Sequence, residues 1–224
     1  MRRLLTHWIA TVLAGSLPAV AAPSPAKPGV VLLHGIHDSG EKMAWLARRL
    51  QSAGYETFCP SLQPADGSVS LATSAASLDA LVARRFGKDR PLHVVGFSMG
   101  GLITRHWLAS YPVRQRVLGF ATISSPHRGT WFAYVNNLPG VREMRPNSPF
   151  LTQLQSQDRH LAGLRPLSVY TPFDLIILPA SSSVWKCGQT KLFWSIAHPL
   201  MVFNPRVAKS VLTYFDEAEK AAAR

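Results

Sequence analysis

Charge is sparse and lopsided along this sequence. Asp and Glu number 12 against 24 Lys and Arg, and charged residues make up only 16% of the 224. With so few acids no set of carboxylates suggests a calcium site, so no metal and no cofactor is expected. The basic residues come as singles and pairs, such as Arg48-Arg49 and Arg84-Arg85, without a run and without interleaved aromatics. That excludes a specific nucleic-acid motif and leaves a basic surface able to meet an anionic membrane as a peripheral partner. Cysteine is scarcer still: Cys59 and Cys187 permit one disulfide at most, and the sequence leaves open whether they bridge or stay as buried thiols. Beyond the amino-terminal segment no stretch is apolar enough for a transmembrane helix, no repeat occurs, and no change of composition divides the chain. One domain over residues 30–224 is expected.

What is present in quantity is apolar residue, 47% of the chain, enough to bury a core. The amino terminus places Arg2 and Arg3 before an apolar stretch from Leu4 to Leu17 and then Ala19-Val20-Ala21. This is the layout of a signal peptide over residues 1–21, followed by a Pro/Ala linker over 22–29, and it implies an exported, secreted or periplasmic protein. The alternative is an amino-terminal membrane anchor. No cysteine sits beside the cut, which argues against a lipoprotein. Removing Arg2 and Arg3 leaves 22 basic against 12 acidic side chains.

Strand and helix patterns alternate down the rest of the chain. Strand-like runs are VVLLHG, YETFCP, LHVVGF, RVLGFATIS, PLSVYT and KLFWSIA, and helical spacing is found in EKMAWLARRLQSAG, from Ser70 to Phe86, in GGLITRHWLASY, and after Asn204-Pro205. Residues 126–164 read as an irregular insertion, a candidate small cap. Alternation with doubly apolar strands implies an α/β fold, a mostly parallel sheet of about six strands with helices on both faces. Ligands then belong at the carboxyl ends of the strands.

Gly96-Phe97-Ser98-Met99-Gly100 matches G-x-S-x-G between a strand and a helix, the context in which the pattern carries meaning. The sharp turn lifts Ser98 above the sheet, and the helix start aims free N–H groups at developing negative charge. A serine nucleophile needs a base and an acid to orient it. Of the later histidines, His160 lies in a polar helical stretch, His127 opens a loop, and His198 follows the last strand, where the base belongs. The acid must come from Glu143, Asp158 or Asp174, and only Asp174 follows a strand. The backbone N–H groups of Ile36 and Met99 are the candidate oxyanion donors. His127, Trp131 and Phe132 are candidates for substrate contact.

These residues together, LLHGIH, GFSMGG, TISSPHRGT, YTPFD and AHPLMVFNPRV, resemble small secreted bacterial lipases and esterases of the α/β-hydrolase superfamily over about Gly29 to Val207. The resemblance implies the α/β-hydrolase fold, Ser98, Asp174 and His198 as a catalytic triad, and cleavage of carboxylic esters, lipid or acylglycerol esters among them, through an acyl-enzyme. Two features depart from it. DLIILP stands where many relatives carry D-G-x-V-P, and Phe97 occupies a place often held by histidine. The same triad also serves acyl transfer and thioester or amide cleavage. A non-catalytic envelope-binding protein on this scaffold is the reading of another class.

Overall fold

The computed structural model describes residues 27–224. The expected signal peptide or anchor and most of the linker lie outside the described residues. Six strands form one sheet: β1 (Gly29–Leu33), β2 (Glu56–Phe58), β3 (Leu92–Phe97), β4 (Val117–Ile123), β5 (Leu167–Tyr170) and β6 (Gln189–Leu192). Their order is β2-β1-β3-β4-β5-β6 and every pairing is parallel. β1 and β3 are buried at every residue, as strands covered on both faces must be.

The pleat sorts alternate residues to two cores. Val31, Leu33, Val94 and Phe120 face α2 (Leu71–Phe86) and α3 (Met99–Ser110). Val30, Leu32, Val95 and Phe97 face α1 (Ala44–Ser52) and the last helix, α7 (Pro205–Ala222). Local signals set the helix starts: the Ser70 hydroxyl accepts from the Thr73 N–H to open α2, and Asn204 accepts from Arg206 N–H, with Pro205 as the first residue of α7.

The insertion differs from the expectation of an irregular segment. It holds three short helices, α4 (Pro139–Glu143), α5 (Pro149–Ser156) and α6 (Asp158–Leu161), and 3-10 turns at Trp131–Tyr134 and Ala162–Leu164. The longest has eight residues, about two turns, too short for apolar periodicity to register in sequence. Leu151, Leu154 and Leu161 join the α2/α3 core. At the sheet edge, β6 ends at Leu192, short of the expected KLFWSIA strand, and Trp194 and Ile196 stand exposed. The two cysteines are unpaired: Cys59 packs on the α1/α7 side of the sheet and Cys187 on the α2/α3 side. Burial pushes both thiols up to about 11.

Burial holds the imidazoles of His34, His93, His106 and His127 below their ordinary value of 6.5. Glu219, bonded to His93 Nε2 at 2.9 Å, opposes that fall only in part. As pH drops below 6.5 the unfolded chain binds protons that the folded chain refuses, so stability falls with pH. Each such histidine contributes about 1.4 kcal/mol per pH unit within its window. Urea unfolding between pH 7 and 5 should show this slope, and His127→Gln should reduce it by one histidine's share; an unchanged slope would show that His127 accepts its proton in the fold.

Candidate active site

The site is assembled from loops that leave the carboxyl ends of β1, β3, β5 and β6. Ser98 joins β3 to α3 with φ 53 and ψ −125, a left-handed backbone that costs a non-glycine residue energy. Its N–H donates to Ile123 O at 2.9 Å, so the elbow is pinned to the end of β4. The surrounding glycines leave no room for a side chain. A Cβ at Gly96 would meet Thr104 Oγ1 at 2.5 Å, one at Gly100 would run into the carbonyls of Leu33 and His34, and one at Gly101 would overlap Ser125. Backbone of β1, α3 and the post-β4 loop can therefore crowd around a single serine.

Asp174 and His198 come together as the residue order suggested. Asp174 is buried in the loop after β5. Its Oδ1 accepts from the Ile176 and Ile177 N–H groups at 3.0 and 2.8 Å, which leaves Oδ2 for His198 Nδ1 at 2.7 Å. This carboxylate fixes which imidazole nitrogen faces it and leaves Nε2 for other partners. The His198 ring packs on Phe97, the residue before Ser98, at 4.9 Å between centroids. Among the described residues Ser98 Oγ has no hydrogen-bond partner, so the serine-to-histidine bond is open in this resting geometry.

The N–H groups of Ile36 and Met99 likewise have no acceptor among the described residues. His34, which sequence reasoning passed over, shapes that corner: Nδ1–H donates to Gly35 O at 2.8 Å and Nε2 accepts from Leu62 N–H at 3.0 Å. These two bonds require a neutral ring, in keeping with burial lowering its affinity for protons. The signal available was the histidine placed directly before Gly35-Ile36 at a strand end.

Beside Ser98 lies a cavity of about 100 Å³, walled by Ile36, Phe132, Val135, Val141, Met144 and Ile177, among others. Thr130 lines it too and ties its walls together. The Thr130 hydroxyl donates to Ile176 O at 2.7 Å and accepts from the Leu178 and Phe132 N–H groups at 2.9 and 3.2 Å, joining the insertion to the Asp174 loop. A larger open groove of about 360 Å³ lies at the amino end of β4, beside Arg114, Tyr214 and Glu217, away from Ser98; size alone does not mark the site.

Of the three candidates for substrate contact, only Phe132 lines the Ser98 cavity. Trp131 stacks on Tyr134 at 5.5 Å, is 61% exposed, and points outside it. His127 is buried elsewhere: Nε2 meets Thr122 Oγ1 at 2.9 Å, Arg105 approaches Nδ1 at 3.4 Å, and its ring stacks on Trp185. Burial, and next the Arg105 charge, hold His127 neutral well below 6.5. The two acids set aside by position have other tasks. Asp158 accepts from Arg105 at 2.7 Å and from Trp185 Nε1, and Glu143 accepts the Leu71 N–H at the start of α2. His160 is exposed on α6.

Residues 28–157 match the family model described as alpha/beta hydrolase fold. A lysosomal thioesterase PPT2 homolog of Drosophila melanogaster is 30% identical over 135 residues, 58% of this chain and 45% of that protein. The chain thus spans a little under half the length of that relative. Among solved structures, Bacillus licheniformis lipase BlEst2 in its mature form superposes with a TM-score of 0.64 at 16% identity, covering 89% of this chain and 95% of the lipase. A putative lipase from Acinetobacter baumannii gives 0.63 at 20% identity over 88% and 86%. At such identities these two matches carry the fold alone, whereas the family match takes in most of the chain: it belongs to the alpha/beta hydrolase fold family.

Proposed function

We propose that this protein hydrolyses carboxylic esters through an acyl-enzyme formed on Ser98. The observation that carries the reading is the buried His198–Asp174 bond at 2.7 Å beside a serine held at φ 53 at the mouth of an apolar cavity. In this account the acyl chain enters the cavity and its carbonyl oxygen sits between the Ile36 and Met99 N–H groups. His198 Nε2 takes the Ser98 proton as Oγ attacks, and Asp174 stabilises the imidazolium. The tetrahedral oxyanion is held by the two amides, each worth about 3 kcal/mol in comparable sites. His198 then protonates the departing alcohol, and a water deprotonated by His198 releases the acid. Catalytic bonds that are open in a resting site commonly close around substrate, which accommodates the unpartnered Ser98 hydroxyl.

The cavity supports short acyl groups. Its small size, about 100 Å³, and its apolar walls suit a short acyl chain. Longer chains would run out past Phe132 and Val135, which are exposed at the mouth. Thioester cleavage is the second reading, favoured by the 30% identity to a protein named as a lysosomal thioesterase homolog.

Ser98→Ala should lower kcat for p-nitrophenyl butyrate by about a thousandfold or more with the fold intact by circular dichroism. Parent-like turnover in that variant would defeat the proposal. A butyryl thioester assayed beside the ester decides between the two readings by kcat/KM. Val141→Ala removes a buried part of the cavity wall and should raise the octanoate-to-butyrate ratio of kcat/KM about fourfold, the value of roughly one buried methylene; an unchanged ratio would place the acyl chain elsewhere.

A further inference from the structure

Among the described residues, eleven large hydrophobic side chains are exposed, and all of them lie in three segments, 131–135, 173–175 and 192–203. These are the loops that follow β4, β5 and β6, the same loops that carry the cavity wall, Asp174 and His198. Trp131, Leu175, Trp194 and Ile196 are 61 to 83% exposed. No helix on either sheet face shows such a residue. A soluble surface scatters its apolar residues, and concentration on one rim marks a surface that meets something apolar.

Charge identifies the partner. Arg145 lies over the Tyr134 ring at 4.7 Å, Lys42 over Phe203 at 5.4 Å, and Arg206 shares a groove with Trp194, Leu200 and Phe203. Residues 126–147 and 171–206 contain six Lys or Arg and two acids. Both acids are engaged within the fold, Glu143 with the Leu71 N–H and Asp174 with His198. The rim thus sets aromatic and aliphatic side chains beside cations; in those two segments no acid faces outward without a partner, and next to them Lys42 is paired with Asp38 at 4.0 Å near the exposed Glu41. A second copy of the same face would meet it with like charge. Tryptophan and tyrosine settle at the level of lipid headgroups, and cations beside them are drawn to an anionic leaflet.

We propose that this rim docks on an anionic phospholipid bilayer, with the mouth of the Ser98 cavity turned toward the membrane. The docking needs no reaction at Ser98, so it stands or falls separately from the ester-hydrolase reading. Side chains at 131, 175, 194 and 196 enter the headgroup layer, while Arg206 and Lys42 meet lipid phosphates; Arg145, bonded to Ala133 O, Asn136 O and Asn137 Oδ1, braces the rim.

The test is vesicle co-sedimentation of the full chain in the Ser98→Ala background, where no lipid is consumed. Phosphatidylcholine vesicles are compared with ones in which about one third is phosphatidylglycerol, at about 0.1 M salt. Expected are binding that favours the anionic vesicles at least tenfold and a blue shift of tryptophan emission. Trp131→Ser/Trp194→Ser/Ile196→Ser should weaken that binding at least tenfold, and Lys42→Glu/Arg206→Glu should remove the preference for anionic lipid. Parent-like circular dichroism and urea unfolding of these variants show that they fold. Equal binding to both vesicles, or full binding by the triple variant, would overturn the proposal; the latter would assign attachment to the apolar segment near the amino terminus. Dimerisation without vesicle binding would overturn it in favour of a self-association face.

Discussion

The active geometry depends on one steric constraint, the packing of backbone against backbone around Ser98. The turn between β3 and α3 holds a non-glycine residue at positive φ, and it does so only because three neighbouring positions lack a Cβ. Gly100 lies against the carbonyls of Leu33 and His34, Gly101 against Ser125, and Gly96 against Thr104. These contacts bring the ends of β1, β3 and β4 together at a single point. The N–H of Ile36, two residues past His34, and the N–H of Met99 are neighbours of the serine for the same reason. Strain at Ser98 is thereby borne by the sheet, in the manner of strained functional residues held by a rigid surround.

The scarcity of acid shapes the rest of the site. Only three carboxylates lie between Ser98 and His198, and each has a separate task. Glu143 caps α2, Asp158 neutralises the buried Arg105 beneath Trp185, and Asp174 alone is free to orient a histidine. Two backbone N–H groups grip Asp174 by one oxygen and leave the other for His198. The departure DLIILP is compatible with this grip, since Ile176 and Ile177 are the donors. Thr130 extends the network, binding the Asp174 loop to the insertion that walls the cavity.

The sheet and the elbow were legible because their signals are local. Doubly apolar strands, glycines around Ser98 and the Asn204-Pro205 helix start each announce themselves within a few residues. Strand-end position singled out Asp174 from Glu143 and Asp158, and placement after the last strand singled out His198 from His127 and His160. The insertion was not legible, because helices of one or two turns leave no periodic trace and are held by contacts distant in sequence. His127 shows the limit clearly: a histidine after a strand end reads as site lining, and only Arg105 and Trp185, brought up by folding, reveal it as a packed neutral residue. The exposed rim was equally hidden, since Trp194 and Ile196 in an apolar run read as strand until β6 is seen to stop at Leu192.

The claim on which the account rests is that Ser98 is a nucleophile activated by His198 and Asp174. It is tested most directly by treating the protein with a fluorophosphonate and locating the adduct by peptide mass spectrometry. The account predicts a single phosphonylated residue, Ser98, formed much more slowly when Asp174 is replaced by Ala. Absence of an adduct, or an adduct on another residue, would contradict it.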